Sequence, residues 1–103
     1  MTEAAHAAAT GVATIATPNA EKYLIQLCKH FAHKIPAEYG DGAGHISFEA
    51  GDCRLAARDG ALIVTVTASD AAGLERVEDV VARHLRRFAF REELAIDWGP
   101  KGE

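Results

Sequence analysis

The stretch CRLAARDGALIVTVTA, residues 53–68, decides the fold of this chain. Its second half, residues 61–68, is rich in β-branched side chains and predicts the strongest strand of the protein. Residues 53–57 predict the strand before it, and residues 58–60, Arg-Asp-Gly, mark the turn that joins the two. We therefore expect a sheet in which successive strands are connected by short turns.

Further strands are predicted on both sides of this pair. Residues 45–48 predict a short strand, which a tight connection at residues 49–52 joins to the next one. The glycine-rich residues 37–44, AEYGDGAG, are expected to form a loop. Nearer the ends of the chain, the alternating residues 11–17 predict a first strand and residues 94–98 predict a last one.

Two amphipathic helices are predicted between these strands. The first is expected to begin at Thr17 as its N-cap and to end before Pro36, because proline disfavours helical geometry in the preceding residue. The second covers about residues 70–90, with Ser69 or Asp70 as its cap. Each helix has one apolar stripe at helical spacing. The stripes are Leu24, Leu27, Cys28, Phe31 and Ile35 in the first helix, and Leu74, Val77, Val81, Leu85 and Phe88 in the second.

The element order β-α-β-β-β-α-β predicts an α+β fold. We expect a two-layer sandwich, in which a mostly antiparallel sheet of about five strands carries two helices on one face. The other face would be partly open and would carry Arg54, Ile63, Thr65 and Thr67. A face of this kind is typical of a dimer contact, so we expect a homodimer.

Length and charge limit the organisation of the chain. Its 103 residues suit one domain, and we expect a disordered leader at 1–10, a single α+β domain at 11–99 and a tail at 100–103. The net charge of −4 argues against a nucleic-acid partner. The sequence shows neither an apolar run of about 18 residues nor a signal peptide, so no membrane partner and a cytoplasmic location are expected.

Cationic side chains cluster where each helix is predicted to end. The segments are KHFAHK at 29–34 and RHLRRFAFR at 83–91. Positive charge is favoured at a helix C-terminus, which explains much of the pattern without any function. The alternative is an anion-binding or acid–base patch, because His30 shares a helix flank with Lys34, and His84 shares one with Arg87 and Arg91. Three strands between the helices would make the helices parallel, so His30 and His84 are not expected to converge.

Metal binding and thiol chemistry are weaker interpretations of the same segment. Cys28 and His30 point about 160° apart on one helix, so they cannot bind one ion together. His30 and His33 share a face but would need a third ligand. Cys28 and Cys53 both fall on predicted core positions and are expected to be packed. We therefore assign no metal, no cofactor and no catalytic residue.

Three stretches resemble a known family. YLIQLCKHFAHK, FEAGDCRLAA and VVARHLRRFAFREELAIDW are similar to the uncharacterised bacterial domain-of-unknown-function family numbered 2218, over about residues 11–98. The resemblance implies a small α+β domain of unsettled function. It also suggests a link to iron handling, since similar domains sometimes accompany siderophore-interacting flavin reductases. Its motifs fall on the candidate ligand-binding residues His30, His33, Lys34, His84, Arg87 and Arg91.

Three functions are open at this point. The leading hypothesis is a non-enzymatic accessory domain that homodimerises and binds a small anionic ligand or an iron–siderophore species. This hypothesis rests on the suitability of arginine and lysine for anions. The second is a small enzyme in which His30 or His84 acts as a general base. The third is a structural or interaction module without a small-molecule site.

Overall fold

A computed structural model of the chain describes residues 9–100 and confirms the predicted α+β class. The elements are β1 (Ala9–Ala16), α1 (Ala20–Phe31), β2 (Ala37–Gly40), β3 (Ala43–Ser47), β4 (Gly51–Arg58), β5 (Ala61–Ala68), α2 (Ala71–Phe88) and β6 (Gly99–Pro100). The strands form one sheet in the order β2-β3-β4-β5-β1-β6, and each neighbouring pair is antiparallel. Both helices pack against the same face of this sheet.

The segment 37–44 differs from the prediction, because it contains a hairpin instead of a loop. Asp41 and Gly42 connect β2 to β3 with φ angles of 52° and 75°. Positive φ at both central residues defines the two-residue turn that matches the twist of antiparallel strands, and Asp-Gly is one of its preferred sequences. Asp59 and Gly60 make the same turn between β4 and β5, with φ angles of 52° and 73°.

The extra strand reverses the predicted relation of the two helices. Four strands separate α1 from α2, so the helices run antiparallel. The side-chain contacts agree with this direction. Tyr23, near the start of α1, bonds to Glu92 beyond the end of α2. His30, near the end of α1, contacts His84 one to two turns before the end of α2.

The region after α2 also departs from the sequence-based expectation. Residues 94–98 pair with no strand, and the sheet is extended instead by β6, which pairs with Gly11 and Val12 of β1. The alternation of Leu94, Ile96 and Trp98 nevertheless has a physical basis. Leu94 is buried, and the other two side chains pack partly buried against the core. Apolar alternation therefore predicted the burial of this segment but not its hydrogen bonding.

The two helix starts test the capping predictions. Asp70 is the N-cap of α2, as predicted, and its carboxylate accepts a 2.8 Å hydrogen bond from the backbone nitrogen of Gly73. The prediction of Thr17 for α1 is wrong, because that helix begins at Ala20 after Asn19. The Thr17 hydroxyl instead accepts a 3.1 Å hydrogen bond from the backbone nitrogen of Asn19. Thr17 thus orders the turn that leads into the helix.

The core lies between the helices and one face of the sheet, and both cysteines belong to it. Cys28 and Cys53 are fully buried, as predicted. Burial raises the pKa of both thiols, and that of Cys53 reaches about 12. Because the thiolate is the reactive form, neither side chain is suited to nucleophilic chemistry. The opposite sheet face carries Arg54 exposed and Ile63, Thr65 and Thr67 half-buried.

The chain ends can be compared with the prediction only in part. Residues 1–8 of the expected leader, with His6, and residues 101–103 of the expected tail lie outside the described residues. Ala9 and Thr10 belong to β1, which begins two residues earlier than predicted. Within residues 9–100, no helix is both long enough and apolar enough to span a bilayer.

Candidate functional site

The central feature of the candidate site is a pair of histidines from the two helices. The ring centroids of His30 and His84 are 4.8 Å apart, and the ring planes are tilted by 51°. The expectation that these side chains would not converge is therefore wrong. It rested on parallel helices, and β2 makes them antiparallel, so that the two basic flanks meet in one groove.

Phenylalanine rings hold the two imidazoles in place. The Phe31 ring lies 4.9 Å from the His30 ring and 4.9 Å from the His84 ring. The Phe88 ring lies 5.8 Å from His30 and 6.3 Å from His84. Edge-on and tilted geometries of this kind are favourable for aromatic pairs. We call the cluster of His30, Phe31, His84 and Phe88 the histidine seam.

One hydrogen bond determines the tautomer of His84. Its Nδ1 lies 2.8 Å from the backbone carbonyl oxygen of Val80. A carbonyl oxygen can only accept, so Nδ1 carries the proton and donates it. In the neutral ring the lone pair is then on Nε2, which can accept a hydrogen bond, take a proton or bind a ligand.

The electrostatic surroundings of His30 are cationic. Desolvation lowers the pKa of His30, and the nearby His84, Arg87, His33 and Lys34 lower it further. Each of these four groups is positive or becomes positive when protonated, and each therefore opposes a charge on His30. With a pKa below its usual value of 6.5, His30 is mostly neutral at neutral pH.

The structure brings five of the six predicted ligand-binding residues together. His30 and His84 are in contact, and Arg87, His33 and Lys34 are near enough to act on the charge of His30. Arg91 is placed elsewhere. Its guanidinium carbon lies 5.3 Å from the centroid of the Phe90 ring, at a neighbouring cavity.

A second polar cluster, which the sequence did not reveal, lies at the other end of the same helix pair. The carboxylate of Glu92 accepts hydrogen bonds from the Thr17 hydroxyl at 2.9 and 3.0 Å, from the Asn19 amide at 2.8 Å and from the Tyr23 hydroxyl. We call these four residues the Glu92 clamp. Glu92 and Thr17 are 75 positions apart, so no local motif relates them.

The clamp shifts the ionisation of its two acidic members in opposite directions. The hydrogen bonds from Tyr23, Asn19 and Thr17 stabilise the carboxylate and lower the pKa of Glu92, to which Lys22 adds a smaller favourable charge. The same bond to Glu92, together with burial, raises the pKa of Tyr23. Both shifts favour an ionised carboxylate that accepts from a neutral phenol.

The donor set of the histidine seam can also be compared with the needs of a metal ion. A structural or catalytic metal requires three or four converging ligands. In the stretch from residue 9 to residue 100, no group of three or more His, Cys, Asp or Glu side chains is placed to hold one. Cys28, which the sequence places close to the histidines, is fully buried in the core.

Fold and site define a small two-layer α+β domain with a pair of contacting histidines, near Arg87 and Lys34, between antiparallel helices. The chain belongs to the bacterial family described as "Uncharacterized protein conserved in bacteria (DUF2218)", whose model matches residues 12–99. The family resemblance is thus confirmed.

A solved relative has the same fold. The NMR structure of PA4090 from Pseudomonas aeruginosa is 32% identical to this chain, with a TM-score of 0.77. The match covers 92% of this chain and 99% of that one. No curated protein matches the chain.

Proposed function

We propose that the chain is a non-enzymatic domain that binds a small anionic ligand at the histidine seam. The observation that supports this proposal is the composition of the field around His30. Four neighbouring groups, His84, Arg87, His33 and Lys34, all lower its pKa. Positive potential of this kind raises the local concentration of anions and favours their binding.

The residues of the site suit different parts of such a ligand. Arg87 and Lys34 donate charge-assisted hydrogen bonds to anionic oxygens, and arginine can do so with two parallel bonds. With the tautomer that donates from Nδ1 to Val80, His84 offers the lone pair of Nε2, which accepts a hydrogen bond from a hydroxyl group. The matching ligand therefore carries anionic oxygens together with a protonated oxygen, as hydrogen phosphate and hydroxycarboxylates do. A ferric siderophore with free carboxylates is a larger member of the same class.

The test is a titration followed by amide NMR at pH 7.5, with inorganic phosphate, citrate and a ferric hydroxamate siderophore as separate probes. We expect saturable shifts centred on His30, His84 and Arg87 with at least one probe. Arg87→Gln should weaken that binding by about tenfold to a hundredfold, since a hydrogen bond to a charged group contributes about 1.5–3 kcal/mol.

The matched control is Arg86→Gln, which makes the same charge change at the next position of α2. Arg86 is exposed and is not among the groups that shift the pKa of His30. It should change the affinity by less than about twofold, as expected for a surface charge screened by water and salt. If both variants lost the same amount of affinity, the effect would come from net charge and not from a site at Arg87. An absence of saturable shifts with every probe would refute the site.

The proposed assembly is a homodimer that uses the open sheet face. In this face, Thr65 of β5 lies opposite Arg54 of β4 on one side and Val12 of β1 on the other. Ile63 and Thr65 are only half-buried in the single chain. Light scattering should give twice the chain mass, and Thr65→Arg should return the monomer. A monomer at the highest soluble concentration of the native chain would contradict the dimer.

A specific observation also favours catalysis by His84 as a second candidate. The bond from Nδ1 to Val80 fixes the tautomer in which Nε2 is free to take a proton, which a general base requires. Imidazole ¹⁵N shifts should show protonated Nδ1 and unprotonated Nε2 at neutral pH. If the opposite tautomer predominates, this role for His84 is excluded.

A further inference from the structure

Beside the histidine seam lies a cavity of about 500 Å³. Its polar wall is formed by Tyr23 and Glu92, its apolar wall by Phe88 and Phe90, and its cations are Lys22 and Arg91. Phe88 also contacts His30, so the cavity and the seam share one aromatic wall. Ligand pockets typically combine such apolar area with a few placed polar groups.

We propose that this cavity binds an aromatic monocarboxylate, with its ring against Phe88 and Phe90 and its carboxylate toward Lys22 and Arg91. The proposal goes beyond the anion site at the seam and does not depend on it. The two sites take different probes, because the seam offers hydrogen-bonding groups for a compact oxyanion and the cavity adds apolar surface.

The aromatic part of the ligand follows from Phe90. This side chain is 76% exposed, and only Tyr39 accompanies it as an exposed large hydrophobic residue in the stretch from 9 to 100. Covering a water-exposed phenyl ring at the mouth of a cavity with another ring is favourable, because it removes apolar surface from water. The Arg91 guanidinium lies 5.3 Å from the Phe90 ring centroid, so the cation is already held beside the apolar surface that a ligand ring would contact.

The negative charge of the ligand follows from the charges around the cavity. Glu92 already accepts from Thr17, Asn19 and Tyr23, so its oxygens are engaged by the clamp. Its one negative charge faces two cations, Lys22 and Arg91, which leaves one positive charge in excess. Binding of an aromatic cation would be disfavoured. The Glu92 oxygens are engaged by the clamp, and the positive charge of Arg91 beside the Phe90 ring would repel the ligand.

The experiment compares benzoate with benzylamine, which have similar size and opposite charge. Each is titrated into the ¹⁵N-labelled full chain, and amide shifts are followed. We expect saturable shifts with benzoate at Lys22, Phe90 and Arg91, and none with benzylamine. Phe90→Ala should weaken benzoate binding about fivefold through the lost ring contact, and Arg91→Gln by a similar or larger factor. Arg86→Gln, which lies in α2 five residues before Arg91 and not at the cavity, should leave it unchanged.

Several outcomes would overturn the proposal. If benzylamine bound as tightly as benzoate, the claim that the cavity prefers a negatively charged ligand would be wrong. Benzoate shifts centred on His30 and Arg87 would assign the binding to the seam, and benzoate without saturation would leave no site. A dimer that Phe90→Ala dissociates would show that a second copy of the chain covers Phe90. Because phosphate, citrate and the ferric siderophore are titrated into the same variants as probes of the seam, failure at one site is distinguishable from failure at the other.

Discussion

The two ends of the groove between α1 and α2 satisfy their polar groups in opposite ways. At the Glu92 clamp, one carboxylate accepts hydrogen bonds from Thr17, Asn19 and Tyr23, so its negative charge is stabilised by donors of the same chain. At the histidine seam, His30 and His84 lie among cationic neighbours that oppose the charging of His30. The clamp is complete within the chain, whereas the seam would gain from an added anion.

This difference suggests separate roles for the two ends: the clamp fixes the segment after α2, and the seam keeps polar groups available to a ligand. A fully satisfied network fixes the relative position of the groups that form it. The clamp therefore fixes the segment after α2 against the start of α1, and that segment carries Phe90 and Arg91. The seam is held by ring packing, which leaves Nε2 of His84 and the nearby cations open to a ligand.

Leu27→Ala should produce the largest effect, because Leu27 lies between the two ends. It follows Tyr23 by four residues and precedes His30 by three on one face of α1, and it is fully buried. The cavity left by truncation should lower the free energy of unfolding by about 2–5 kcal/mol, measured by urea denaturation. The volume-conserving Leu27→Met should cost less than about 1.5 kcal/mol. Similar losses in both variants would contradict a tightly packed groove.

Tyr23→Phe should have an intermediate effect that is confined to the clamp. The variant keeps the buried ring and removes the hydroxyl that bonds to Glu92, which should cost about 1 kcal/mol. Tyr39→Phe makes the same change on the exposed strand β2 and should stay within about 0.5 kcal/mol of the native chain. Binding of the anion probe that saturates at the seam should persist in both. Loss of that binding in Tyr23→Phe would show that the two ends are not separate.

The fold class could be predicted from the sequence because it depends on local patterns that repeat. The stripe of α2 and the alternation of β5 each extend over many residues, and the predicted strand at 61–68 agrees with Ala61–Ala68. The missed element, β2, has four residues and contains Gly40, so it offers little pattern. Its turn has the same Asp-Gly chemistry as the one at residues 59–60, where long flanking strands made the signal clear.

The site could be predicted only as far as each helix flank. Placing His30 and Lys34 on one flank, and His84 and Arg87 on another, needed only helical spacing. Whether the flanks meet depends on the direction of the helices, and a single short strand reverses it. The bond between Tyr23 and Glu92, 69 positions apart, depends on the whole path of the chain. Contacts between residues so far apart along the chain produce no local spacing pattern that could be recognised in the sequence.

The pH dependence of stability should give the smallest effect and should separate the two ends by their pH ranges. The lowered pKa of His30 means that the unfolded chain takes up its proton first. Stability is therefore lost as the pH falls below about 6.5, the usual pKa of histidine, and the loss is complete below the folded pKa. The lowered pKa of Glu92 contributes stability that is present above its usual value of 4.5 and is lost as the pH falls further.

His30→Gln should flatten the upper of these two ranges and leave the lower one unchanged, whereas Tyr23→Phe should flatten mainly the lower one. Urea midpoints measured in half-unit pH steps from neutral to acid would show the two slopes. His33→Gln removes one of the neighbours that lower the pKa of His30 and keeps the His30 imidazole, so it should flatten the upper range only in part. If the urea midpoint of His30→Gln depended on pH in the upper range as steeply as that of the native chain, the cationic neighbours would not be opposing the protonation of His30. The electrostatic case for an anion at the seam would then be lost.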